Sequence, residues 1–247
     1  MDGKQLLWKQ PFEVYTWQAD QQRKARISTL FNYMQEAASR HATHLGVGQE
    51  QLASQGRYWL LSRVKMIWDY LPLAGARIQL HTWPKGQARL FSVRDFRFFE
   101  EGGKAFGRAT TAWLLMDSRE GKLLRLDHLH PDFPLFPDSA LEELPSRIKS
   151  TGKESFLYTR EARYTDIDFI GHVNNARYIE WIWDGLSQEH IRRLSNGGQF
   201  QMEYLSECLP GEKVLLVAHQ EDEESLPSVI SGRPEGDGRE LFRAKLV

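Results

Sequence analysis

The sequence predicts an α+β fold made twice: two tandem units, each a long helix packed on an antiparallel sheet. Three observations carry that expectation. Apolar residues recur at steps of three and four over two long stretches, 27–45 and 176–194. Around them the period drops to two over several short segments, as it does in half-buried strands. The order of helix and strands then restarts near residue 156, after a proline-rich stretch.

In chain order, Phe12 to Trp17 alternates aromatic and polar residues and reads as a strand. Asp20 to Arg26 is a polar lead-in. Ile27, Leu30, Phe31, Met34, Ala38, Ala42 and Leu45 share one helical face, and Gly46 and Gly48 end it. Val64, Met66, Trp68 and Tyr70 alternate with Arg63, Lys65, Ile67 and Asp69 in the next strand. Arg77 to Trp83, Ala88 to Glu100 and Ala105 to Asp117 complete a meander, the last two joined at Glu101-Gly-Gly-Lys104. A helix followed by such strands buries its apolar face on the sheet.

Residues 118 to 155 change character. Prolines 131, 134, 137 and 145 lie among Asp, Glu, Ser and Lys, the composition of a linker with a short helix or 3₁₀ turns near Ala140 to Leu144. The second unit then runs as a strand (Phe156 to Tyr164), a polar loop, a long helix, and strands Phe200 to Cys208, Val214 to Gln220 and Leu241 to Val247. The expected organisation is a first domain over 1–138, a linker over 139–155 and a second domain over 156–247. Asp20 and Asp168 lead into the two helices at an offset of 148, and Asp69-Tyr-Leu-Pro72 matches Glu207-Cys-Leu-Pro210 at 138. Under the first offset Lys24 stands where the second unit has His172, and Arg26 where it has Asn174. The first unit is therefore expected to lack the second's chemistry and to shape a pocket.

Composition excludes several classes. Of the 247 residues 41% are hydrophobic and 26% charged, ordinary for a globular protein large enough to bury a core. With 32 basic and 33 acidic residues, no global field draws the chain to nucleic acid or to a membrane. The single Cys208 leaves no intrachain disulfide and no thiolate-rich metal site, and the eight histidines lack helical zinc spacing. Neither a metal nor another cofactor is expected. Without a signal core or a long apolar run, the expectation is a soluble, cytoplasmic protein.

One stretch gathers chemistry. Between Tyr164 and Tyr178, Asp166, Asp168, His172, Asn174 and Asn175 crowd ahead of an otherwise apolar helix. A helix start offers unpaired N–H groups and the positive end of the dipole, suited to a developing oxyanion. Gly171 beside His172 lets a substrate approach the backbone closely. Asp and Asn at such places are most often caps, so the residues alone leave capping and catalysis both open.

Taken together, Arg63-Val-Lys-Met-Ile-Trp68, Leu80-His-Thr-Trp-Pro84, Arg94-Asp-Phe96 and Ala109 to Asp117 in the first half, with Asp166-Ile-Asp168, His172-Val-Asn-Asn175, Tyr178, Glu203-Tyr204 and Glu207-Cys208 in the second, resemble the acyl–acyl carrier protein thioesterases. The resemblance covers nearly the whole chain. It implies tandem hot-dog domains and hydrolysis of the thioester between a fatty acyl chain and the phosphopantetheine arm of acyl carrier protein, in fatty acid biosynthesis. It places Asp168, His172 and Glu207 in catalysis, with Asn174 as a further donor and Cys208 as a contested member. Gly171, Trp59 and Trp68 are expected to face substrate, the two tryptophans along an acyl tunnel. One position departs from the family pattern. Two residues after Asp168, where an Asn is usual, stands Ile170, which can neither donate to an oxyanion nor orient a water.

A thioester needs a polarised carbonyl, an aimed water and a base, since a thiol of pKa ~8.5 leaves readily. Two mechanisms stay open. Glu207 activates water, or Cys208 attacks as a nucleophile deprotonated by His172. Adjacent residues on a regular strand point to opposite faces, which favours Glu207 and places Cys208 with Met202 and Tyr204 in the core. Rival functions are an acyl-coenzyme A thioesterase, a hot-dog dehydratase (opposed by Val-Asn-Asn after His172, where a Pro-Gly pair is usual) and a non-catalytic acyl-binding module. An acidic carrier would dock on a local basic patch such as Arg23, Lys24 and Arg26. The tandem halves are dimer-like in themselves, and a homodimer of the whole chain remains open.

Overall fold

The computed structural model describes residues 5–126, 135–150, 152–220 and 226–247. Prolines 131 and 134 and linker residue 151 lie outside these. The chain divides into two compact units, Met1–Pro145 and Ser146–Val247, with the division inside the 139–155 stretch.

In the first unit, strand β1 (Trp8–Glu13) is followed by a 3₁₀ turn at Thr16–Gln18, where the sequence suggests continued strand. Helix α1 (Ile27–Leu45) buries Ile27, Leu30, Phe31, Met34, Ala38 and Leu45, the predicted face. It ends at Gly46, whose φ of 82° lets its N–H reach back to the last turn. Helix α2 (Gln49–Ala53), unforeseen, is only five residues long and carries too little periodicity to read. Strands β2 (Arg57–Trp68), β3 (Arg77–Ala88), β4 (Phe91–Glu100) and β5 (Ala105–Asp117) follow, with a short β6 (Leu123–Leu124) on β5. All pair antiparallel in the order β1-β3-β4-β5-β2, and α1 packs on β3 and β1. The β3–β4 register shifts between Pro84 and Gly86, since proline has no N–H to give to a ladder.

No helix forms over 140–144. Side chains of the sheet hold that segment instead. Arg97 grips Asp138 with two bonds of 2.6 and 3.0 Å, and Trp83 Nε1 donates to the Asp138 carbonyl at 2.9 Å. Ala140 N–H donates at 2.6 Å to Asp95 Oδ2, whose carboxyl burial pushes up in pKa. These bonds tie residues 138–140 to the first unit.

The second unit repeats the topology. Strands β7 (Lys153–Glu161), β8 (Gly198–Tyr204), β9 (Lys213–Gln220), β10 (Val229–Pro234) and β11 (Phe242–Leu246) pair antiparallel in the order β7-β9-β10-β11-β8. β10 was missed in the sequence because Ser231, Gly232 and Pro234 look like a turn. Gly232 is there for space: a Cβ would sit 2.2 Å from the ring of Phe242 across the ladder.

The predicted long helix is two helices, α3 (Asn175–Asp184) and α4 (Gln188–Leu194). Its period of three and four continues through the break, which is why the pattern hides it. Gly185 lies where a Cβ would be 3.1 Å from Leu157, and the Ser187 side chain caps α4 by accepting the His190 N–H at 3.2 Å. Tyr178 anchors α3 in the core, its ring 5.2 Å from Trp181 and 5.3 Å from Phe242.

Candidate active site

Two loops of the second unit bring the predicted residues together. The first, 162–174, opens with a 3₁₀ turn at Tyr164–Asp166. Asp166 is buried; it accepts the Arg163 N–H at 2.9 Å and pairs with Arg160 at 3.3 Å, so its role is to build the turn. Beyond it the chain doubles back. Asp168 N–H donates to the His172 carbonyl at 2.9 Å, and Gly171 N–H to the Asp168 carbonyl at 3.0 Å. Gly171 holds φ at 93°, a value that disfavours any side chain, although nothing lies within 4 Å of where its Cβ would be. The Asp168 carboxylate accepts the Ile170 N–H at 2.9 Å. Position 170 thus serves this loop through its backbone, while its side chain stands 56% exposed.

Asn174 is the N-cap of α3, its Oδ1 accepting the Ala176 N–H at 2.9 Å, and its carbonyl takes the Arg177 N–H at 2.9 Å. Of the amides that open α3, that of Asn175 has no acceptor among the described residues. The Tyr204 hydroxyl donates to the Asn175 carbonyl at 3.0 Å and fixes the helix start on β8.

The second loop, 205–212, carries Glu207 and Cys208. The sequence places both on a strand running to 208, but β8 ends at Tyr204. The N–H groups of Leu205 and Ser206 both turn to the Leu241 carbonyl, at 2.9 and 3.2 Å, and regular pairing stops there. Val173 N–H donates to the Cys208 carbonyl at 3.0 Å, locking the two loops together. His172 Nε2 then lies 3.3 Å from Glu207 Oε2, both side chains partly open to solvent.

Cys208 points the other way. It is fully buried although it is off the strand, so its packing does not come from alternation with Met202 and Tyr204. Its S–H donates to the Leu209 carbonyl at 3.8 Å, and burial first, then the neighbouring Glu212 carboxylate, pushes its pKa up to about 12. Glu212 escaped the sequence reading because an acid in a Pro-Gly-Glu turn looks solvated; here it also accepts the Leu209 N–H at 2.7 Å.

The expected substrate-facing tryptophans part company. Trp68 is 1% exposed, which leaves no water-sized space beside it, and it is core. Trp59 is half-buried, donates from Nε1 to the Val47 carbonyl at 3.0 Å, and packs over Leu52, Leu115 and Leu126. Two surface concavities lie elsewhere: one of about 1020 Å³ beside β1 and α1, and one of about 530 Å³ beside β7 and β9. Neither holds any of the predicted site residues. Among the described residues no cluster of three His, Cys, Asp or Glu is arranged to hold a metal, and no helix is long and apolar enough to cross a membrane.

The first unit contains the same loop frame with other side chains. Asp20 N–H donates to the Lys24 carbonyl at 2.8 Å, and Arg23 N–H to the Asp20 carbonyl at 2.9 Å. Residue pairs Ala19–Ala25 and Ile167–Val173 bridge alike, which bears out the offset of 148. Arg23 even holds φ at 63°, in the place of Gly171. The second offset needs correction. Backbone bonds match Leu73 with Leu209, Gly75 with Gly211 and Pro72 with Cys208, a constant 136 and not 138. The two Leu-Pro pairs look alike because both belong to turns, yet they occupy positions two residues apart. The place of Glu207 is therefore taken by Leu71, which is buried.

Comparison with known proteins fits these particulars. Residues 5–129 match the family model for the acyl-ACP thioesterase N-terminal domain, and residues 149–240 that for the C-terminal domain. Similar curated proteins include a chloroplastic acyl-[acyl-carrier-protein] hydrolase of Cuphea viscosissima, 25% identical over 82% of this chain and 52% of that protein. Another is an Arabidopsis thaliana oleoyl-acyl carrier protein thioesterase, 25% identical over 74% of this chain and 55% of its own. The chain thus spans about half the length of the curated relatives it matches. A solved acyl-ACP thioesterase from Bacteroides thetaiotaomicron is 26% identical with a TM-score of 0.86, covering 98% of this chain and 97% of that one. The 12:0-ACP thioesterase of Umbellularia californica, 22% identical over 98% of this chain and 94% of its own, shares the fold at a TM-score of 0.75. The fold is the tandem hot-dog arrangement, and the chain belongs to the acyl-ACP thioesterase family.

Proposed function

We propose that this protein hydrolyses the thioester of fatty acyl-acyl carrier protein, releasing free fatty acid and holo-carrier. The observation that carries the reading is the 3.3 Å approach of His172 Nε2 to Glu207 Oε2 beside the start of α3, in a chain of this family. Glu207 takes a proton from water as its oxygen attacks the acyl carbonyl. The carbonyl π pair moves onto oxygen, and the free Asn175 amide at the helix N-terminus stabilises that charge. Collapse re-forms the carbonyl and breaks the C–S bond. The pantetheine thiolate leaves with little help. The proton that Glu207 took from water passes across the 3.3 Å contact to His172 Nε2, which hands it to the thiolate, and both side chains return to their starting state.

The other predicted residues take supporting parts. Asp168 fixes the turn through the Ile170 amide, and so does not need a side-chain acceptor or donor at 170. Asn174 caps the helix that presents the oxyanion donor. Gly171 leaves room for the pantetheine arm. The second unit, whose domain extends from the 139–155 stretch onward, is the catalytic one. The first carries a frame without its chemistry and contributes acyl-binding surface, half-buried Trp59 included.

Cys208 is a packed thiol in this reading. A buried sulfur whose pKa is pushed up to about 12 supplies a negligible thiolate fraction near neutrality, which supports water as the attacking group. Thiol release should be measured with acyl-carrier-protein substrates of graded chain length, and with the same chains on coenzyme A. Glu207→Ala is expected to lower kcat by roughly 10²–10⁴, while Cys208→Ala keeps most activity. An acyl adduct trapped on Cys208 would overturn the mechanism. Greater efficiency on coenzyme A would overturn the choice of carrier, and substrate binding without thiol release would overturn hydrolysis itself.

A further inference from the structure

The loop that carries Glu207 is not self-supporting. Its backbone leaves β8 at Tyr204 and makes no ladder until β9 begins at Lys213. Within it, Glu207 has its carboxylate near His172 and its carbonyl pointing away. That carbonyl accepts a hydrogen bond of 2.9 Å from Arg239 Nη1, across 32 residues of sequence. The second arm of the same guanidinium, Nη2, donates at 2.5 Å to Glu212 Oε1. Glu212 Oε2 in turn accepts the Leu209 N–H at 2.7 Å, so the planar fork of one arginine bridges the loop from Glu207 to Glu212. Arg239 is itself braced. Asp237 accepts from its backbone N–H at 2.9 Å and from its Nε at 3.1 Å, in the turn between β10 and β11.

From this geometry we infer that Arg239 is a positioning residue, holding Glu207 in register with His172 through the Glu207 carbonyl and the Glu212 carboxylate. The inference rests on the reading of Glu207 as the base. The loop has main-chain ties on either side of Glu207, at Ser206 and at the Cys208 carbonyl, but no ladder pair at Glu207 itself, and a general base works only when held within hydrogen-bond reach of its water. The fork adds a hold at Glu207 itself: two charge-assisted bonds from one rigid plane, to the Glu207 carbonyl and the Glu212 carboxylate. Lysine in its place would keep the charge and could reach one acceptor, but not both in a fixed geometry.

The test uses steady-state kinetics of the full chain on an acyl-carrier-protein substrate, with Arg239→Ala, Arg239→Lys, Glu212→Gln and Glu207→Ala in parallel. Arg239→Ala should lower kcat about 10- to 100-fold while KM changes by less than about threefold. Added methylguanidinium should restore part of the lost kcat, and Arg239→Lys should fall between the parent and Arg239→Ala. Parent-like kcat in Arg239→Ala beside an inactive Glu207→Ala overturns the inference alone. So does a fall in kcat that methylguanidinium leaves untouched. Should Arg239→Ala fail to fold, undiminished kcat in both Arg239→Lys and Glu212→Gln overturns it equally. An active Glu207→Ala overturns the underlying reading first, whatever Arg239 does.

Discussion

At the scale of single residues, the site separates its two sulfur- and oxygen-bearing neighbours by environment. Glu207 and Cys208 are adjacent in sequence, yet one faces His172 and solvent while the other is fully buried against Glu212. The buried thiol should therefore be inert. At pH 8.5 its reaction with a disulfide reagent is expected to be about 1,000-fold slower in the native protein than in the denatured chain, where its pKa returns to ~8.5. Because Cys208 is the single cysteine, total thiol absorbance reads it without ambiguity. Fast labelling of the folded protein would contradict the burial and reopen the nucleophilic route. Ile170 teaches the complementary lesson. Its side chain stands exposed while its N–H holds the Asp168 turn.

At the scale of an element, α1 is more than an apolar rod. His41, fully buried on its inner face, sets Nε2 2.9 Å from the Gln5 carbonyl and Nδ1 3.0 Å from the Arg94 guanidinium, with His44 and Trp8 stacked near it. Burial first, then the Arg94 charge, lowers its pKa to about 4 from 6.5. Between those values the unfolded chain binds the extra proton and the folded one does not, so stability falls as pH drops through the window. The loss is expected to reach about 3 kcal/mol at most. Urea unfolding from pH 7 to 4 should show it in the parent and less of it in His41→Gln; equal slopes would refute the assignment. The apolar face of α1 was legible from its spacing, as were most of β2 to β5, because period alone encodes them. The break between α3 and α4 was not, since Gly185 is required by Leu157, a neighbour far off in sequence. Nor was the end of β8, which depends on two amides converging on the Leu241 carbonyl. Asp168, His172 and Glu207 could be named from their motif, whereas Arg239 and Glu212 sit in polar runs whose meaning exists only in three dimensions.

At the scale of the whole molecule, the two units share strand order, loop frame and turn bonds while differing in what the frame carries. Lys24 and Leu71 hold the places of His172 and Glu207, so the first unit should be silent in catalysis. Asp20→Asn combined with Lys24→Ala is expected to leave kcat within about twofold of the parent at saturating substrate, measured by thiol release, whereas His172→Ala abolishes it. A comparable fall in both would mean that the first frame also touches the reaction. The shared frame has one more consequence. It is closed by main-chain bonds in both units, and it closes as well over lysine and leucine as over histidine and glutamate. The scaffold is thus indifferent to its own cargo: a handful of point changes can disarm such a protein, or lend a dormant copy a new trade, without asking the polypeptide to find another shape.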